Sequence, residues 1–178
     1  MKDKLKIAAI PGSLRKSSST TFILQHIIKL FPEAIDFILY EGASKLPHFD
    51  DSETVSNEVT SFRKLLQDAD GIIICQPEYA FGVAGSLKNA LDWTVSSGEL
   101  VNKPVALITA ATGGDKAHAA MLWTLKALSS KVDDAALLIP FVRTKLNDKG
   151  EVINAETERA ITDVLTALIN IIRKVREQ

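Results

Sequence analysis

The chain has 178 residues, 46% of them hydrophobic and 24% charged, with a formal net charge of −1. That is enough apolar material for a globular core, and the balanced charge argues against nucleic acid or an anionic membrane as the main partner, because both are held through a basic excess. A lone cysteine, Cys75, excludes an internal disulfide and a cysteine-based metal cluster.

The first element is the apolar run Leu5–Ile10, a short buried strand, followed by a helix over Thr20–Phe31 with Ile23, Ile27 and Phe31 on one face. Ile35–Tyr40 reads as a second strand. After the polar segment EGASKLPHFDDSET, the spacing of Val55, Val59, Phe62, Leu66 and Ala69 predicts a second helix, and Gly71–Cys75 a third strand. Leu87 to Ser96 is helical by its Leu87, Leu91 and Val95 stack. Pro104–Ala110 is a fourth strand, Asp115–Lys131 a helix, and Ala136–Val142 a fifth strand. Ile161, Val164, Leu165, Leu168, Ile172 and Val175 mark a last amphipathic helix that ends in Arg173, Lys174 and Arg176, the charge suited to a helix C-terminus.

Strands apolar on both faces, alternating with amphipathic helices, imply a parallel sheet covered on both sides. Five such units fit an α/β, flavodoxin-like, doubly wound sheet of strand order 2-1-3-4-5. With no internal repeat or linker, residues 1–178 read as one domain. No apolar run reaches the roughly 18 residues of a membrane span, and the N-terminal run is too short for a secretory signal. The expected location is cytoplasmic.

In such sheets ligands bind beyond the carboxyl ends of the strands, at the switch between strands 1 and 3. Three loops end there: PGSLRKSSSTT, QPEYAFGVAGS and TGGDKAH. The first leads into a helix N-terminus, where unpaired N–H groups and the helix dipole favour an anion. Its hydroxyls and Arg15 suit a phosphate. It is neither a P-loop nor the G-x-G-x-x-G dinucleotide fingerprint. The second loop brings Tyr79 and Phe81 to the same edge as candidates to pack near a planar ring, and the third adds a Gly-Gly lip. Together they suit a flat phosphorylated ligand such as FMN.

The motifs GSLRKSSSTTFIL and PEYAFGVAGSLKNALDW, followed by TAATGG, resemble the NAD(P)H-dependent FMN reductase family, whose members reduce quinones, azo dyes or chromate. The resemblance implies FMN as non-covalent cofactor, with Ser13, Arg15, Ser18, Thr20 and Thr21 on its phosphate. Pro77, Glu78, Tyr79, Ala80 and Phe81 would line the isoalloxazine, largely through main chain, and Thr112, Gly113 and Gly114 would close the other side. It further implies hydride transfer from NADPH or NADH to FMN N5, reduction of a small-molecule acceptor (free flavin, quinone, azo compound or metal oxyanion), and assembly as a homodimer or homotetramer. No side chain is needed as general base, because the cofactor carries the chemistry. The sequence departs from the family pattern at Thr20, where Asn is usual; at Ala80-Phe81, where Asn followed by His or Gly is common; and at Ala84, a frequent Pro.

The alternative on the same fold is a flavodoxin-type electron carrier, against which the small net charge counts. A receiver domain would need acidic residues after strand 1 and an Asp after strand 3, where this chain has Pro11-Gly12 and Gln76-Pro77. Cys75 reads as core, Trp93 and Trp123 as core or interface, His118 as helix surface, and Lys88–Asp92 as a helix-surface pair. His26, His48 and His118 are too scattered to form a metal site.

Overall fold

The computed structural model describes residues 4–31 and 35–177. In chain order it contains β1 (Leu5–Pro11), α1 (Ser19–Leu30), β2 (Ile35–Leu39), α2 (Asn57–Asp68), β3 (Gly71–Gln76), α3 (Gly85–Asp92), β4 (Val105–Ala110), α4 (Asp115–Ala127), β5 (Ala136–Ile139) and α5 (Ala155–Arg176), with 3-10 turns at Ala43–Lys45 and Val142–Lys145. All five strands are parallel, in the order β2-β1-β3-β4-β5. This is the flavodoxin-like architecture expected from the alternation of apolar runs.

The two-sided apolarity of the strands has a direct structural expression. Ile7, Ala9, Ile73, Cys75, Ala106 and Ile108 pack against Ile23, Leu24 and Ile27 of α1 and Leu165, Leu168 and Ile172 of α5. The alternate residues Ala8, Ile10, Ile72, Ile74, Val105 and Leu107 pack against Phe62 and Leu66 of α2, Leu87 and Leu91 of α3, and Met121 and Leu125 of α4. Every residue of β3 and β4 is buried, as strands sandwiched between helix layers must be. Cys75 belongs to this core, and burial pushes its thiol above the ordinary value, which makes it unreactive.

Register places the functional edge. Pro11 pairs with Cys75, Gln76 with Thr109, and Ala110 with Ile139, so the loops after β1, β3, β4 and β5 leave the sheet at nearly one level.

Several boundaries differ from the sequence expectation, each for a local reason. β5 ends at Ile139 rather than Val142: Pro140 has no N–H for the ladder, and Phe141 turns into the left-handed region at φ 51°. α4 ends at Ala127 rather than Lys131. Its N–H groups of Ser129 and Ser130 bond back to the carbonyls of Lys126 and Leu125, with Ser129 at φ 57°, closing a Schellman motif on a serine. α3 stops at Asp92, four residues early, in a run of turns. Lys88 and Asp92 form the expected pair on its surface.

Ile73 sits at the centre of the sheet with no solvent exposure. Ile73→Ala is expected to cost about 2–5 kcal/mol of stability, whereas Ile153→Ala, at a side chain 63% exposed, should stay within about 0.5 kcal/mol. Urea-unfolding midpoints of the two variants check this.

Candidate functional site

The β1–α1 loop folds tightly on itself. Ser18 caps α1, its hydroxyl accepting from the Thr21 N–H and lying 2.9 Å from both the Thr20 and Thr21 hydroxyls. The Thr21 hydroxyl donates to the Arg15 carbonyl, and the Arg15 N–H donates to Ser13 Oγ. Ser13, Ser18, Thr20 and Thr21 are all buried. A loop of hydroxyls serving only as solvated filler would be exposed. The N–H groups of Ser19 and Thr20 have no partner among the described residues, and the first turn of α1 carries no acidic residue. Gly12 is required by the packing of the loop. Its close approach is to the chain itself, because a Cβ there would stand 2.9 Å from Gln76 Cα and Pro77 Cδ.

The β3–α3 loop supplies the opposite wall. The Tyr79 hydroxyl lies 3.2 Å from Ser13 Oγ, tying this loop to the first. Tyr79 and Gly82 exchange both backbone hydrogen bonds, at 3.1 and 2.9 Å, and the two residues between them, Ala80 and Phe81, have φ of 48° and 60°. That is a type I′ turn, which Asn-Gly fills best and which costs non-glycine residues about 1–2 kcal/mol each. The turn places Ala80 and Phe81 at an exposed tip, Phe81 80% so. Neither is among the residues that line the cleft, and both stand at its outer edge next to Tyr79.

Glu78 joins the second and third loops. Its Oε1 accepts from the Gly114 N–H at 3.1 Å and its Oε2 from the Ala117 N–H at 3.0 Å. The carboxylate therefore caps the N-terminus of α4. Gly114 starts that helix at φ 108°, where a Cβ would stand 2.7 Å from Leu138 Cδ1. Gly114 is buried behind the lip, and Thr112 and Gly113 are its exposed rim.

These loops enclose one cleft of about 240 Å³, lined by Ser13, Arg15, Ser18, Ser19 and Thr20 from the first loop, Pro77–Tyr79 from the second, and Ala110–Gly113 from the third. Thr21 lines the adjoining depression beside Tyr40 instead. Two features were not singled out from the sequence. Arg143, in the 3-10 turn after β5, also lines the cleft. Gln76, at the end of β3, is wholly buried and donates to Thr109 Oγ1 and the Ala117 carbonyl, while its own Oε1 has no partner among the described residues. A polar residue ending the run GIIICQ was the available signal. His118 joins this network through Nδ1, 2.8 Å from Thr109 Oγ1. It is half-buried rather than a surface residue, and desolvation lowers its pKa and favours the neutral imidazole.

Of the tryptophans, Trp93 is core, its Nε1 donating to the Pro47 carbonyl and its ring edge-on to Phe49. Trp123 is exposed on α4. Among the described residues no group of His, Cys, Asp or Glu is arranged to hold a metal ion.

Glu78→Ala would strip both N–H partners from the start of α4 and is expected to cost about 1–2 kcal/mol. Ala80→Asn, a residue that tolerates the left-handed region, should add about 0.5–1 kcal/mol. Denaturant midpoints read both.

Comparison with known proteins agrees with this geometry. The profile of the NADPH-dependent FMN reductase family matches residues 5–139. A quinone reductase of Escherichia coli (strain K12) is 28% identical over 187 aligned residues, covering 99% of this chain and all of its own. An NADPH azoreductase of Bacillus sp. (strain OY1-2) is 35% identical over 113 residues, 62% of this chain and 61% of that protein. Among solved structures, the flavoenzyme NAD(P)H:(acceptor) oxidoreductase FerB of Paracoccus denitrificans superimposes with a TM-score of 0.78 at 22% identity, over 96% of this chain and 98% of its own. A match across most of the chain, containing all three loops of the cleft, has one consequence: this chain belongs to the NADPH-dependent FMN reductase family.

Proposed function

We propose that the cleft seats FMN, and that the chain uses it to oxidise NADPH or NADH and reduce a small second substrate of the quinone or azo class. The observation that carries this reading is the convergence of buried hydroxyls, Arg15 and a helix N-terminus with two backbone-rich loops around a single cleft.

The donor set fits FMN. Ser13, Ser18, Thr20, the N–H groups of Ser19 and Thr20, and Arg15 suit its phosphate. Thr21 supports them through its bond to Ser18. Pro77–Tyr79 and Thr112–Gly113 suit the ring and its chain. When bound, FMN would supply the two-electron redox chemistry between NAD(P)H and the second substrate.

What the residues do is bind and orient. Ser18 caps the first turn of α1, and Ser18, Ser19 and Thr20 of that turn line the cleft. Glu78 fixes the distance between the second and third loops. The cleft is smaller than the roughly 300–1,000 Å³ of enclosed small-molecule sites, which suits a seated phosphate with one face of the ring left open to a second planar substrate. Stacking there is a proximity effect. No residue is required as general base.

The reading extends to assembly and location. The exposed Trp123 on α4 suits burial between copies in a homodimer or homotetramer, and the whole chain acts as one flavin-binding domain. No described helix is long and apolar enough to cross a membrane, in keeping with a cytoplasmic enzyme that takes small-molecule substrates. An electron-carrier role without NAD(P)H oxidation is the less favoured alternative. Carriers of that kind are usually strongly acidic, and this chain carries a net −1.

The absorbance spectrum of the FMN-loaded protein, followed anaerobically through addition of NADPH and then NADH, tests the activity. Bleaching of the flavin bands is expected, and their persistence with both donors contradicts it. Arg15→Ala should weaken FMN binding by about 1.5–3 kcal/mol, roughly ten- to a hundredfold, as read by quenching of flavin fluorescence. Unchanged affinity removes Arg15 from the site.

A further inference from the structure

The cleft has a cation that the three flavin loops do not supply. Arg143 lies in the turn after β5, yet it lines the same cleft as Arg15, Ser18, Ser19 and Thr20. Neither arginine is paired with a carboxylate among the described residues. The one acidic residue in the lining, Glu78, has both oxygens engaged at the start of α4.

The backbone that carries Arg143 is fixed to the site. The Phe141 N–H donates to the Thr112 carbonyl at 3.0 Å and the Val142 N–H to the Ala111 carbonyl at 3.1 Å. Thr144 closes the turn, its N–H and its hydroxyl both 2.9 Å from the Phe141 carbonyl. Phe141 is held at φ 51° though it has a bulky side chain and is exposed. Such strain persists where the surroundings over-determine it, and it gathers at ligand sites. Phe141 caps the 3-10 turn that carries Arg143.

Charge gives this placement a purpose. A phosphate monoester carries about −1.5 to −2 near neutral pH. Arg15 supplies +1 and the α1 N-terminus about +0.5. About half a charge or less remains unbalanced beside buried hydroxyls, and a second arginine more than covers it.

We propose that Arg143 is a second cation for the flavin phosphate, reaching it from the β5 side of the cleft while Arg15 reaches it from the β1 side. The proposal rests on the reading that FMN occupies this cleft. It makes the site selective for the phosphorylated flavin over riboflavin, through a residue outside the three loops.

The test is an equilibrium titration of wild type, Arg143→Gln and Arg143→Lys with FMN and with riboflavin, by fluorescence quenching, at low and high salt. Arg143→Gln is expected to weaken FMN binding about tenfold, to leave riboflavin affinity unchanged and to flatten the salt dependence. Arg143→Lys should recover most of the loss. Unchanged FMN affinity in Arg143→Gln overturns the proposal, and so does an equal loss for both flavins, which would make the residue structural. A raised KM for NADPH with unchanged FMN affinity also overturns it and reassigns the arginine to the dinucleotide. Wild-type protein with no measurable FMN affinity would instead overturn the parent reading, and this one with it.

Discussion

Glu78 gives both carboxylate oxygens to the N–H groups that open α4, and the character of the whole edge follows from that bond. A parallel sheet delivers several helix N-termini to the same side, each with a partial positive charge. The α4 terminus is already occupied by an internal carboxylate, whereas α1 keeps free N–H groups, buried hydroxyls and an adjacent arginine. The cleft is thus polarised, with a cationic seat at α1 and an internally neutralised rim at α4. The same bond sets the spacing between the loop after β3 and the lip after β4.

A second constraint is the price of shape at two turns. Ala80-Phe81 and Phe141 occupy left-handed backbone without glycine or asparagine. Each is pinned by backbone hydrogen bonds to its neighbours. The first turn carries its two strained residues out of the cleft and leaves Pro77, Glu78 and Tyr79 as the wall. The second turns the chain after β5 so that Arg143 reaches the cleft. In both places strain lies beside the cleft rather than in the sheet, whose packing is regular on both faces.

The sheet order was legible because β1, β3 and β4 are apolar on both faces and the intervening helices show clear faces, so few topologies fit. The cluster of buried hydroxyls at the start of α1 was legible because its parts are contiguous, from Ser13 to Thr21. What escaped lies in contacts across long sequence separations. Glu78 meets Gly114 36 residues later, and nothing in PEYAF announces a helix cap. Tyr79 reaches back to Ser13 across 66 residues, so its hydroxyl joins the first loop. Arg143 depends on β5 ending at Ile139, ahead of Pro140, and a strand drawn through Val142 conceals the turn that presents it. Ala80 and Phe81 follow the family motif in position, but their left-handed dihedral angles are not displayed by the sequence.

The central claim is that the α1 N-terminus grips the phosphate of the flavin. A crystal structure of the FMN complex tests it most directly. The account predicts the phosphate within hydrogen-bonding reach of the Ser19 and Thr20 N–H groups, with the Ser18 cap intact. A phosphate located at the start of α3 or α4, or in solvent with the ring alone held by the protein, would contradict it.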